Sequence, residues 1–136
     1  MKNLNLLLIL TFCFGSTISK AQQTKSVQGQ LVIDKYSKKL QQPKYNLDSL
    51  SLKNDTLTLF IKYLGGCKTP VFNLVTNGGI TYASPPMMIL YLEQVEINEH
   101  CKKITSAVLH FPIAAVKKIN TSALKLNIDN RKYVMY

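Results

Sequence analysis

The stretch TLTLFIKYL, Thr56 to Leu64, decides the fold. Leu57, Leu59, Ile61 and Tyr63 share one face of it, and Thr58, Phe60 and Lys62 share the other. A period of two marks a strand laid against a core. Asn54-Asp55 before it reads as a turn, and Gly65-Gly66 ends it. Upstream, Leu47 to Leu52 alternates strictly, with Leu47, Ser49 and Ser51 on one face and Asp48, Leu50 and Leu52 on the other.

Farther out the same grammar repeats. Val27 to Ile33 reads as a first strand, and Lys35 to Lys44 as a polar loop or a lysine-rich edge. Val71 to Thr76 is a strand fenced by Pro70 and Asn77-Gly78-Gly79, and Ile80 to Pro86 holds turn residues and a double proline. Met87 to Val95 (MMILYLEQV) has the length and apolar content of a buried strand and no helix-capping signal. Asn98-Glu99-His100 reads as a turn, and Lys103 to Phe111 as a strand, with Pro112 marking an edge or bulge. A short turn is expected at Ile113 to Lys118. Ala123 to Ile128 and Lys132 to Tyr136 then form a closing hairpin around Asp129-Asn130. Strands at this spacing predict an all-β chain, an antiparallel β-sandwich of about seven or eight short strands.

The 136 residues give room for one domain and exclude a dinucleotide-binding pair of halves, a TIM barrel or a kinase. Met1 to Ala21 has the form of a secretory signal: Lys2, an apolar Leu4 to Phe14, and small residues at Ser19 and Ala21. The expected organisation is therefore a signal peptide at 1–21 and a single β-sandwich domain at 22–136. Lipid anchoring through Cys13 is disfavoured by the bulky Phe12 before it. No later stretch reaches the length of a membrane-spanning helix. Losing Lys2 and Lys20 takes Lys+Arg from 17 to 15 against 7 Asp+Glu, a net charge of +8. The expected location is the periplasm or the exterior.

Two cysteines, Cys67 and Cys101, remain after the signal. In an oxidising compartment an even pair is expected to form a disulfide. Two buried thiols and a metal-ligand pair are the alternatives. No CxxC pair supports a thiol redox role.

The catalytic roles do not fill. There is no GxSxG, the aspartates fall at strand ends and turns, and no two carboxylates are set face to face. The chain reads as a non-enzyme with no cofactor. His100, His110, Met87 and Met88 carry the imidazole and soft sulfur that suit copper or zinc, without a compact ligand spacing. Three lysine pairs, Lys38-Lys39, Lys102-Lys103 and Lys117-Lys118, could meet a polyanion, or simply keep a basic surface solvated. Neither a recognition helix nor an RNA-type aromatic motif accompanies them, so no nucleic acid partner is expected. The positive charge also argues against inhibition of a basic enzyme such as a lysozyme. A protein inhibitor would instead present an aromatic patch, built from exposed members of Tyr82, Tyr91, Tyr133 and Tyr136.

Tyr63-Leu64-Gly65-Gly66-Cys67, Phe72-Asn73-Leu74, Ser84-Pro85-Pro86, Ile89 to Leu92, Cys101 and Val108-Leu109-His110-Phe111-Pro112-Ile113 follow one another in a recognisable order. In this order, under half of the chain resembles a module of uncharacterised exported bacterial proteins, similar in outline to the C-terminal sandwich of NigD-like proteins. The resemblance implies a β-sandwich pinned by Cys67–Cys101 and supplies no activity. Members often carry a histidine two residues after the first cysteine; Thr69 stands there in this chain. The expected function is that of a small exported binding or accessory protein of the bacterial envelope, with an unknown protein or an envelope glycan as partner. A metal-binding envelope protein, and an inhibitor or immunity-type protein, are the alternatives.

Overall fold

The computed structural model describes residues 24–34, 44–65, 67, 70–95, 102–118 and 123–136. The strands are β1 (Lys25–Gln28), β2 (Gln30–Ile33), β3 (Tyr45–Lys53), β4 (Thr56–Leu64), β5 (Phe72–Thr76), β6 (Ile80–Thr81), β7 (Met87–Gln94), β8 (Ile104–Pro112), β9 (Lys125–Ile128) and β10 (Lys132–Met135). A short 3-10 turn occupies Ala114–Lys118. One sheet runs β1-β8-β4-β3; the other runs β10-β9-β7-β5-β2, with β6 paired to β7. The expected signal segment, Cys13, Lys38, Lys39, His100 and Cys101 lie outside the described residues. Cys67 follows β4 and is exposed.

β4 takes the faces its sequence dictates. Leu57, Leu59, Ile61 and Tyr63 are all at most 2% exposed and join one core with Leu109 and Phe111 of β8 and Phe72, Leu74, Leu90, Leu92, Leu126 and Ile128 of the second sheet. β8 runs antiparallel to β4 from Thr56↔Pro112 to Leu64↔Ile104. Pro112 is therefore tolerated as the terminal residue of the ladder. Asn54 and Asp55 turn the β3–β4 hairpin with φ of 49° and 57°, the left-handed pair that a two-residue connection requires.

β3 departs from its strict alternation. A bulge between Leu47 and Ser49 shifts the register, so that Leu50 pairs with Leu59 and Leu52 with Leu57. The extra residue turns Leu50 and Leu52 onto the same side as Leu47, where all three pack on the core.

The antiparallel expectation needs correcting. β1 runs parallel to β8, β2 parallel to β5, and β7 parallel to β9. Alternation fixes which face a residue takes and carries nothing about the direction of the neighbouring strand. The stretch Val27 to Ile33 is also divided. It breaks at Gly29, where the chain leaves the edge of the first sheet and enters the edge of the second. The Gly29 N–H still donates to the His110 carbonyl at 2.9 Å. A Cβ on Gly29 would lie 2.1 Å from Phe111 Cε1 and 2.8 Å from the Phe72 carbonyl oxygen. Only glycine fits that crossing.

On the opposite side, side chains close the sandwich between β3 and β10. The Tyr45 hydroxyl donates to Asp129, Arg131 Nη1 donates to the Tyr45 carbonyl at 2.8 Å, and the Arg131 guanidinium lies 4.8 Å from the Tyr45 ring centroid. The Lys132 ammonium donates to the Asp48 carbonyl, and the Tyr136 hydroxyl donates to Asp55 Oδ1 at 3.0 Å. Burial, with that last contact to Asp55, pushes the Tyr136 hydroxyl up to about 12. Burial pushes the Asp129 carboxyl from 3.8 up to about 6, against the pull of the Leu92 backbone amide and the Arg131 charge.

Two predictions test this frame. Gly29→Ala should destabilise the protein by about 2–3 kcal/mol, since a ring and a carbonyl must both move; urea unfolding of the two proteins measures it. The Asp129 carboxyl holds its proton more tightly folded than unfolded, so its contribution to stability is greatest near pH 3.5 and declines between about pH 4 and pH 6. Asn tolerates the positive φ of this turn. Asp129→Asn should therefore be about 1–2 kcal/mol more stable than the parent at pH 8, a figure reduced for partial exposure, and should match it at pH 3.5.

Candidate binding face

The register of the second sheet determines what its outer face carries. The core side holds Leu74, Met88, Leu90, Leu92, Leu126 and Ile128. Every alternate residue must then point outward. Four registered rows result, one of them the polar Gln30, Asn73 and Glu93. Val32 pairs with Val75 and Val75 with Tyr91. Ile89 pairs with Asn127 and Asn127 with Tyr133. Met87 pairs with Lys125 and Lys125 with Met135.

This face is apolar, aromatic and basic at one end. Tyr133 is 61% exposed and Met135 46%, while Val32, Met87, Ile89 and Tyr91 are half-buried. The Lys125 ammonium sits 3.8 Å from the Tyr133 ring centroid, a cation held by a π face instead of a carboxylate. Asn127 Nδ2 donates to Met87 Sδ at 3.5 Å and to Asn130 Oδ1 at 3.3 Å, tying the middle row to the hairpin turn.

The loop between β5 and β7 adds a corner. Tyr82 is fully exposed there. The loop is braced locally: Gly78 N–H donates to Thr76 Oγ1, Gly79 N–H to Asn77 Oδ1, and Thr81 Oγ1 to the Met87 carbonyl. Gly78 has φ of 74°, a conformation that suits glycine. A groove of about 760 Å³ runs along Gly78, Ile80, Tyr82, Ala83, Ser84 and Pro86.

Of the four tyrosines named from sequence, Tyr91 and Tyr133 share the outer face, and Tyr82 stands in the loop that follows the short β6 beside it. Tyr136 faces the core side and is tied to Asp55. Ile89, Lys125 and Met135 are members that sequence reasoning did not name. A signal for them existed in MMILYL, which is apolar on both faces.

The described residues considered for a metal, Met87, Met88 and His110, do not converge; His100 lies outside the described residues. Met88 is in the core, Met87 on the outer face of the second sheet, and His110 on the outer face of the first, where Nδ1 is 3.1 Å from Thr58 Oγ1. No group of three or more metal-ligating His, Cys, Asp or Glu occurs among the described residues. Lys102 and Lys103 are exposed just before β8, and Lys117 and Lys118 end the 3-10 turn. No helix of the described residues is long and apolar enough to cross a membrane.

No protein-family model matches this chain, and no curated protein matches it. Its fold is similar to that of a NigD-like immunity protein from Bacteroides caccae, with a TM-score of 0.52 and 13% identity over 85% of this chain and 60% of that one. A protein of unknown function, DUF1344, from Bacteroides vulgatus is also similar, with a TM-score of 0.48 and 16% identity over 83% of this chain and 55% of that one. This chain thus spans 60% of the length of the immunity protein. At 13% identity the likeness is one of fold, and at that level the resemblance to the NigD-like sandwich holds.

Proposed function

We propose that this chain is an exported, non-enzymatic binding protein of the bacterial envelope that acts on a protein partner, as an immunity-type factor does. The observation that carries the reading is the outer face of the second sheet, where Tyr91 and Tyr133 lie among half-buried apolar residues beside the exposed Tyr82. Aromatic and methionine side chains of this kind are what binding surfaces concentrate. The shared fold with a NigD-like immunity protein supports the immunity part, and the Met1 to Ala21 segment supports export.

The same proposal includes the Cys67–Cys101 disulfide. Its support is register. The Gly65 N–H donates to the Lys103 carbonyl at 2.7 Å, continuing the β4–β8 ladder past Leu64↔Ile104. Carried two residues further, that register would set Cys67 opposite Cys101, and an antiparallel pair at about 5.5 Å between Cα atoms suits a disulfide.

Each part has its own test. Non-reducing peptide mapping of the exported protein should yield one cross-linked Cys67–Cys101 peptide, and reduction should cost about 3–4 kcal/mol of stability for a loop of about 35 residues. Two unlinked thiols would end that part. For function, a strain lacking the chain should be outcompeted in co-culture with its parent. The intact gene should restore it, whereas Tyr82→Ala with Tyr133→Ala should fail, since each truncation is expected to cost about 2 kcal/mol of partner affinity. Equal fitness of the deleted strain would remove the immunity reading.

A further inference from the structure

We infer that the outer face of the second sheet docks an acidic, partly apolar segment of a protein partner, with a carboxylate meeting Lys125 and apolar side chains lying on Met87, Ile89 and Tyr91. The inference rests on the binding-protein reading above and adds the chemistry of the partner.

Three observations select that occupant. The first is the burial of β7, whose residues Met87 to Leu92 are apolar on both faces. Such a run belongs to a strand covered from both sides. The core covers one face; among the described residues the other is made of the rows Val32–Val75–Tyr91, Ile89–Asn127–Tyr133 and Met87–Lys125–Met135, with the polar row Gln30–Asn73–Glu93 at one end. Five strands at about 4.8 Å spacing make this face about 20 Å wide, enough to seat an extended segment.

The second is charge. On this face Lys125 rests on the Tyr133 ring with no carboxylate partner among the described residues, whereas Lys132, in register with the core residue Ile128, turns to the Asp48 carbonyl on the other side. Elsewhere Lys62 is already neutralised by Asp48 at 2.9 Å. Glu93 lies at the far end of the face, opposite Asn73. The basic end therefore attracts an anion where the apolar rows begin.

The third is what the net charge excludes. The whole chain carries +10, so a second copy would bring like charge onto the same face. A nucleic acid backbone or a polysaccharide would satisfy Lys125 and leave Met87, Ile89 and Tyr91 without apolar partners. A protein segment supplies both.

The test is an amide-resonance titration of the oxidised, signal-free chain. The probes are poly-glutamate, a glutamate–tyrosine copolymer of matched charge, and vesicles rich in an anionic phospholipid. The copolymer should bind about tenfold tighter than poly-glutamate and shift the amides of β7, β9 and β10. Lys125→Gln should weaken it about fivefold, whereas Lys102→Gln, the same loss of charge, should change it less than about twofold. Spectra of both variants without probe report whether each has folded. Equal weakening by the two variants would reduce the effect to net charge and overturn the inference. So would shifts confined to the first sheet, vesicle binding through the same face without copolymer binding, or concentration-dependent shifts without any probe. Co-culture fitness is read separately: a mapped copolymer site with unchanged fitness removes the immunity reading and leaves this surface standing.

Discussion

The pairing of β4 with β8 is the constraint on which the rest of the structure depends. It is long and antiparallel, and it fixes the phase of every neighbour. A slip of one residue would carry Leu109 and Phe111 to the outer face and bring Val108 and His110 inward. The position of Phe111 in turn dictates Gly29, because its ring occupies the space a Cβ would need. Through Gly29 the N-terminal strands reach both sheets at once, β1 beside β8 and β2 beside β5. A single cross-strand register thus decides the core, the crossing and the edges that β1 and β2 occupy.

The opposite side is held in a different way. β3 and β10 belong to different sheets, and side chains make their junction. Asp129 serves twice there. Its φ of 48° starts the hairpin turn, and its carboxylate accepts from the Tyr45 hydroxyl. The second role places a carboxylate where burial opposes its charge, while Arg131 offsets part of that cost. Asp129 Oδ1 makes no well-formed hydrogen bond among the described residues, nor, away from the junction in the core, does Tyr63 Oη beside Phe72. Burial raises the Tyr63 hydroxyl as well. The junction is therefore electrostatically uneven, in contrast to the apolar interior it borders.

Much of this was legible in the residues. The two faces of β4, the Asn54-Asp55 turn and the β9–β10 hairpin follow from period and turn chemistry alone, because each is a local property. The bulge in β3 was not legible: Leu47-Asp48-Ser49-Leu50 alternates equally well with or without an extra residue, and only the partner strand reveals which leucines agree. Nor was the break at Gly29, which depends on a phenylalanine far along the chain. Parallel pairing of β1, β2 and β9 escaped for the same reason. The candidate face was half legible. Tyr91 and Tyr133 could be named as aromatics, but placing them with Lys125 and Met135 requires the parallel β7–β9 register, which no local pattern contains.

The two outer faces of the sandwich carry different chemistry. On the first sheet, Thr58 meets His110 and Lys62 meets Asp48, and Ser49 and Ser51 lie toward the edge. Phe60 is exposed among these polar groups, and Leu64 and Ile104 are exposed as a single cross-strand pair at the end of the ladder; isolated apolar residues of that kind are ordinary on protein surfaces. On the second sheet the apolar residues adjoin one another in register across five strands, interrupted by Asn127 and Lys125. Asn127 donates to a methionine sulfur, and Lys125 lies over a tyrosine ring, so even the polar members are turned toward apolar neighbours. Folding does not need this arrangement, because the core is complete on the other side of the same strands. A face that contributes nothing further to the core, yet keeps aromatic and sulfur-containing side chains aligned beside a lysine with no carboxylate partner among the described residues, has the composition of an interface.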